Sequence, residues 1–166
     1  MTRKELFDRL YKPSKTNKVL LLTHNDEDAA GAEIVCRNVF SNITVKNFSN
    51  NEMSKGILTE VQDNANSNEF DLIIIADISC NEEDAVEVNK VVNNCNIVLL
   101  DHHPTAVHLN KYKWAKVESG LLNDSFMVSW YKDVDKTKAH SSGASLVYDY
   151  LDYNNLIKSN NKLKID

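Results

Sequence analysis

Leu72-Ile73-Ile74-Ile75-Ala76-Asp77 is the stretch that decides the fold of this chain of 166 residues. Its five apolar residues in a row leave no polar face, which predicts a parallel strand buried on both sides. Two other short apolar runs have the same character, residues 19–22 and 97–100. Residues 43–48 are predicted as another strand. The chain is therefore expected to form a sheet of mainly parallel strands.

Segments with helical periodicity separate these strands, because their apolar residues recur on one face of a helix. They cover residues 2–11, 28–40, 53–65, 82–92 and 141–153. Strands that alternate with helices of about a dozen residues predict right-handed βαβ units. The predicted fold class is therefore α/β, a mainly parallel β-sheet with helices on both faces.

The pattern changes after residue 104. Residues 112–117 and 126–134 are predicted as two strands around a turn near Asn123-Asp124, which indicates an inserted β-hairpin near residues 111–134. Lysines in this region are interspersed with Trp114, Trp130 and Tyr131. Two interpretations stay open: an amphipathic hairpin packed on the core, or an aromatic and basic lip that stacks bases and contacts phosphates.

Bulk properties exclude several classes of protein. A net charge of -5 argues against coating of nucleic acid by electrostatics alone, but it does not exclude a phosphate substrate held through divalent cations. The apolar runs are too short to span a bilayer, and the polar start shows no secretory signal. Three cysteines without CxxC spacing are typical of reduced core thiols. We expect a cytoplasmic protein with no membrane partner; the sequence does not predict an oligomeric state.

Carboxylates and imidazoles follow three of the four predicted strands. Since the carboxyl ends of parallel strands share one edge of a sheet, these side chains are expected to converge. They are His24, Asp26, Asp28, Asp77, Asp101, His102 and His103. Close carboxylates repel one another, and a divalent cation removes that repulsion. The ligand types suit Mn²⁺, Mg²⁺, Fe²⁺ or Zn²⁺ better than Ca²⁺, and the absence of a thiolate argues against a structural zinc site.

Two ions about 3.5–4 Å apart would need a bridging carboxylate. Asp77, which stands alone at the end of the central strand, is the candidate. Simpler interpretations stay open for single residues. Asp28 is a possible cap of the following helix, and Asp26 and Asp77 are possible turn residues.

The tripeptide Asp101-His102-His103 resembles the motif that names the DHH phosphoesterases. His24-x-Asp26-x-Asp28 resembles the first motif of that family, and Asp77 after its apolar strand resembles the second. Ser141-Ser142-Gly143-Ala144 resembles the Ser/Thr-rich helix start further on. The resemblance covers residues 18–153 and implies a parallel α/β domain with a dinuclear, usually manganese, site.

The same resemblance implies roles for single residues. The implied metal ligands are His24, Asp26, Asp28, Asp77 and His102. Asp101 would orient an imidazole, and His103 would face the scissile phosphate as a hydrogen-bond donor, so both are assigned to catalysis. Three residues at a helix N-terminus are candidates to hold a second phosphate or sugar: Ser141, Ser142 and the amide of Gly143. An ordinary N-cap is the alternative for the two serines.

The function implied is that of a divalent-metal-dependent phosphodiesterase. It would hydrolyse short or cyclic nucleotides, or single-strand nucleic-acid ends, by a two-metal in-line mechanism. Mn²⁺ is the expected cofactor, with Mg²⁺ as an alternative, and a nucleotide or short oligonucleotide is the expected partner. Two alternatives stay open. An inorganic pyrophosphatase or polyphosphatase would need a crown of lysines and arginines around the site, and the other alternative is a non-catalytic nucleotide- or metal-binding module.

Members of the family carry a further metal-binding Asp and a smaller substrate-binding domain downstream. Only Asp166, the last residue, lies in that direction. We therefore expect a single DHH-type metal-binding domain over residues 1–166, without the C-terminal substrate-binding domain. Such a domain is expected to bind one ion better than two and to be a poor catalyst by itself.

Overall fold

The computed structural model describes residues 3–119 and 142–157. The strands are β1 Lys18–His24, β2 Asn42–Phe48, β3 Leu72–Ala76, β4 Ile97–Asp101 and β5 Ala115–Val117. The α-helices are α1 Arg3–Asp8, α2 Glu27–Val39, α3 Met53–Ser67, α4 Glu82–Val91 and α5 Gly143–Tyr153. Short 3₁₀ helices cover Val92–Asn94 and Pro104–Lys111. The strands form one parallel sheet in the order β2-β1-β3-β4-β5.

Side chains of the central strands alternate between two buried cores. Ile73 and Ile75 point to the face that α3 and α4 cover, whereas Ile74 points to the face that α1, α2 and α5 cover. All three isoleucines have no solvent exposure, and each side chain buried to that extent contributes about 1.5–3 kcal/mol. The prediction of an α/β fold with helices on both faces of a parallel sheet is confirmed.

The strand order determines where a ligand can bind. Strand β2 lies next to β1 on one side, and β3, which follows β2 in the chain, lies next to β1 on the other side. This reversal makes the carboxyl ends of β1 and β3 the topological switch point, where open parallel sheets bind ligands. Because Thr23 of β1 pairs with Ala76 of β3, the next residues lie side by side at this edge: His24 is the last residue of β1, and Asp77 directly follows β3.

The hairpin predicted near residues 111–134 lies only partly within the described residues. Its first strand is the short β5, which pairs in parallel with β4 and extends the main sheet. Trp114 is only 5% exposed, and its indole Nε1 donates a hydrogen bond to Asn89 Oδ1 at 3.0 Å. The lip interpretation is therefore wrong for Trp114, because its ring packs in the core. Trp130, Tyr131 and the second predicted strand lie outside the described residues.

Two other expectations about the chain concern its cysteines and membranes. Cys36, Cys80 and Cys95 are all buried and free, as predicted for core thiols. Burial raises the pKa of Cys36 and that of Cys80 to about 12, so neither thiol is a ready source of thiolate. Within residues 3–119 and 142–157, none of the helices combines the length and the apolar character needed to cross a bilayer.

Candidate metal centre

Asp77 lies at the centre of the converging side chains. It follows β3, it is only 3% exposed, and its backbone has a left-handed φ of 61°. A non-glycine residue in that region costs about 1 kcal/mol or more, and such strain is concentrated at functional sites. Burial is the main reason that the pKa of Asp77 is raised. The hydrogen bond with His102 opposes the shift, and the carboxylates of Asp28 and Asp26 add to it.

Two groups of potential ligands share Asp77. One group consists of Asp77, Asp101, His102 and His103, and the other consists of His24, Asp26 and Asp77. Within each group, one ligand atom per residue lies within 4.8 Å of the others. These oxygen and imidazole donors fit a divalent cation of the manganese or magnesium type. Asp77 is the residue that these two groups have in common. Its role as a bridge between two ions stays a prediction.

Asp26 combines a structural contact with a place in the cluster. Its Oδ1 accepts a hydrogen bond from Ala29 N at 2.9 Å and so caps α2, while its Oδ2 lies 3.0 Å from His24 Nδ1. The pKa of Asp26 is lowered, chiefly by the Ala29 N–H and also by His24, although burial opposes the shift. The cap therefore keeps an anionic carboxylate at the metal centre. Asp26 is thus an N-cap that also contacts His24, and its role as a metal ligand stays a prediction.

Asp28 does not cap its own helix. Its two oxygens accept hydrogen bonds from the first amides of α5, Oδ2 from Gly143 N at 2.9 Å and Oδ1 from Ala144 N at 3.1 Å. The same Oδ2 lies 3.5 Å from His102 Nε2. A carboxylate is favoured at a helix N-terminus, where unpaired amides and the helix dipole stabilise negative charge. The amino end of α5 therefore orients Asp28 toward His102 and Asp77.

The first turn of α5 packs directly against Asp77. A Cβ at Gly143 would lie 2.5 Å from Asp77 Cβ, so only glycine permits this approach. Ser142 is the N-cap of α5, since its Oγ accepts a hydrogen bond from Ser145 N at 3.1 Å. The N-cap alternative therefore holds for Ser142, and the amide of Gly143 already donates to Asp28. Binding of a phosphate or sugar by these two residues stays a prediction. Ser141 lies outside the described residues.

Asp101 holds the two histidines that follow it. Its buried Oδ1 accepts a hydrogen bond from His102 N at 2.8 Å and lies 2.6 Å from His103 Nδ1. Within the described residues, its buried Oδ2 has no hydrogen-bond partner. His102 Nε2 lies 3.0 Å from Asp77 Oδ1, and this contact is the main reason that the pKa of His102 is raised. His103 Nδ1 faces Asp101, so its Nε2 is left for a ligand.

A cleft of about 380 Å³ opens beside the centre. It is lined by His24, Asp26, Asn50, Met53, Asp77, Ile78, Ser79, His103 and Thr105. No lysine or arginine among the described residues lines it. Sequence reasoning missed the contribution of Asn50 and Ser79, although they follow β2 and β3 at the same edge of the sheet. Their signal was weak because asparagine and serine are common in any turn.

Comparisons of sequence find proteins that are similar to this chain. The family model described as "DHH family, N-terminal domain" matches residues 18–165. The Oligoribonuclease NrnB of Bacillus subtilis (strain 168) is 31% identical over 145 residues, which are 86% of this chain and 33% of that protein. This chain thus spans about a third of the length of that curated relative.

A solved structure adds evidence on the fold alone. The crystal structure of an uncharacterized protein from Helicobacter pylori G27 is similar to this chain with a TM-score of 0.59 and 23% identity. The match covers 81% of this chain and 36% of that one.

Proposed function

Since this chain belongs to the DHH family, we propose that it is the metal-binding domain of a divalent-metal-dependent phosphodiesterase that hydrolyses short oligonucleotides, cyclic nucleotides or single-strand ends. The observation that supports this most strongly is the pair of ligand groups that share Asp77. Two bound divalent ions would neutralise charge on a phosphate and provide a nucleophilic water. Mn²⁺ is the metal we propose, with Mg²⁺ as the alternative.

The residues divide into those that hold metal and those that support the reaction. His24, Asp26, Asp28, Asp77 and His102 are proposed as ligands. His103 is exposed on the cleft, where its Nε2 would donate a hydrogen bond to a non-bridging phosphate oxygen. Its ring must then carry protons on both nitrogens, and the buried carboxylate of Asp101 at 2.6 Å compensates that charge. Asp101 is therefore proposed as a positioning residue rather than a metal ligand.

The lining of the cleft favours a nucleotide over pyrophosphate. Recognition of an inorganic polyanion calls for lysines and arginines, which provide the charge-assisted hydrogen bonds that phosphate groups take. Among the described residues the cleft offers none of these, and it presents uncharged polar side chains and Met53 instead. The similarity to a protein named an oligoribonuclease supports short RNA as the substrate class.

The test is hydrolysis of a 5′-phosphorylated ribodinucleotide by this chain, treated with chelator and then reloaded with Mn²⁺. Hydrolysis should require the metal, and the same preparation should cleave pyrophosphate more slowly. Asp77→Asn should lower turnover by more than about a hundredfold, because a loss of about a hundredfold is the most that is typical for residues that only orient a metal ligand. Asp63→Asn is the matched control, because Asp63 is an exposed carboxylate on α3.

Two results would contradict the proposal. Faster cleavage of pyrophosphate would assign the site to the pyrophosphatase class. A chain that binds Mn²⁺ at Asp77 and hydrolyses no phosphodiester would be a non-catalytic binding module.

A further inference from the structure

The cleft extends well beyond the metal centre. Four of its lining residues are not metal-ligand candidates and carry side chains suited to recognition: Asn50, Met53, Ser79 and Thr105. We call these four residues the cleft rim. A volume of about 380 Å³ lies in the range of small-molecule sites, about 300–1,000 Å³, and an inorganic phosphate would fill only a small part of it.

The cleft rim has the chemistry of an uncharged ligand. Within the described residues, the side chains of Asn50, Ser79 and Thr105 make no hydrogen bond, so their donors and acceptors are available. Met53 is half-buried and offers a polarisable thioether, which makes favourable contacts with aromatic rings. Hydroxyl and amide groups match sugar hydroxyls and base edges, and a thioether matches the face of a base.

An ion-paired clamp fixes the two sides of the cleft rim relative to each other. The buried carboxylate of Asp84 on α4 accepts hydrogen bonds from Ser54 Oγ and Lys55 Nζ of α3, each at 2.5 Å. Ser54 Oγ also accepts a hydrogen bond from Asn81 N at 3.0 Å. Ser54 follows Met53 directly, and Asn81 stands two residues after Ser79. The spacing between Met53 and Ser79 is thus set before any ligand binds, which reduces the entropic cost of binding.

From these observations we infer that the cleft rim is a nucleoside subsite, which binds the sugar and base of the nucleotide whose phosphate lies at the metal centre. Ser79 stands two residues from Asp77, so it is assigned to the sugar, which is bonded to the phosphate. Met53 belongs to the opposite wall on α3 and is assigned to the base. The inference rests on the proposed function, but it makes a separate claim about recognition.

The experiment is a binding ladder on the Mn²⁺-loaded chain, measured by titration calorimetry. The probes are inorganic phosphate, ribose 5-phosphate and adenosine 5′-monophosphate, which add first the sugar and then the base. Affinity should rise at each step. Met53→Ala should weaken binding of adenosine 5′-monophosphate about three- to tenfold and leave ribose 5-phosphate unchanged. Ser79→Ala should weaken ribose 5-phosphate about two- to tenfold and leave inorganic phosphate unchanged.

Matched controls separate recognition from general damage to the protein. Val86→Ala and Ser41→Ala remove comparable groups from exposed positions outside the cleft and should leave all three affinities unchanged. The Mn²⁺ content should stay constant in every variant. If Met53→Ala does not fold, Met53→Gln retains the length of the side chain, removes the thioether and should show the same selective loss.

Two outcomes would overturn the inference. One is wild-type protein that binds adenosine 5′-monophosphate no more tightly than inorganic phosphate. The other is a Met53 variant with intact metal content that loses affinity for all three probes equally. Because the readout is binding, the result is independent of turnover. A complete ladder without hydrolysis of any phosphodiester would refute the proposed function and leave the nucleoside subsite standing.

Discussion

Replacement of Gly143 by alanine tests whether the amino end of α5 assembles the metal centre. The added Cβ would lie 2.5 Å from Asp77 Cβ and 3.1 Å from both Asp77 Cα and Cγ. Asp77 cannot easily move away, because it is almost fully buried and its backbone is already held at a φ of 61°. The start of α5 must therefore retreat from the sheet edge.

The size of the effect follows from these distances. Carbon atoms pack at about 3.5–4.0 Å, so relief of the contact requires a retreat of roughly 1 Å. A movement of that size breaks both hydrogen bonds to Asp28, which are 2.9 and 3.1 Å long. Overpacking together with the loss of these charge-assisted hydrogen bonds should lower the free energy of unfolding by about 2–4 kcal/mol. Misplacement of Asp28 should lower Mn²⁺ affinity about 10–100-fold.

Urea unfolding of the metal-free chain measures the stability, and calorimetry with Mn²⁺ measures the affinity. Gly56→Ala is the matched control, since among the described residues its Cβ would meet the ring of Phe48, in the packing between α3 and β2 and away from α5. It should destabilise the protein and leave Mn²⁺ affinity much closer to wild type. The reasoning is refuted if Gly143→Ala unfolds and binds Mn²⁺ like wild type. Equal losses of Mn²⁺ affinity in the two variants would also refute it.

Three further predictions concern single side chains. Asp101→Asn should lower kcat about 10–100-fold and should retain more Mn²⁺ than Asp77→Asn does. If Asp101→Asn instead loses more Mn²⁺ than Asp77→Asn, Asp101 is a metal ligand. Asp77 is the main reason that the pKa of His102 is raised. Protonated His102 therefore stabilises the folded state fully below the ordinary pKa of 6.5, and this stabilisation is lost as pH rises through the pKa of the folded state. The raised pKa of Asp77 acts in the same direction. Urea unfolding of the metal-free chain should therefore show stability falling as pH rises above 6.5, and a rise in that range would contradict the assignment. Trp114→Phe removes the hydrogen bond to Asn89 and should lower the free energy of unfolding by about 1 kcal/mol, with KM for a ribodinucleotide unchanged; a raised KM would place Trp114 at the substrate.

The sheet and the edge that carries the site were predictable from local patterns. A run such as residues 72–76 is apolar at every position, and a strand buried on both faces is the simplest structure that satisfies it. The ends of such strands are then known to within a residue or two, and the carboxyl-end rule places His24, Asp77 and the Asp101-His102-His103 tripeptide together. These features depend only on residues that are neighbours in the chain.

The choice of partners among those side chains depended on tertiary packing. Asp28 accepts its hydrogen bonds from amides 115 and 116 residues away in the chain, so no local pattern distinguishes this cap from a cap on its own helix. The position of Trp114 also depended on tertiary packing. A short strand pairs with whichever partner offers a free edge, and β5, which follows Trp114, pairs with β4 of the main sheet. Asn50 and Ser79 became recognisable as cleft residues only once α3 and α4 were placed by the Asp84 clamp. Apolar periodicity is a property of neighbouring residues, whereas capping, close approach and the shape of a cleft depend on distances between segments that only the packed core establishes.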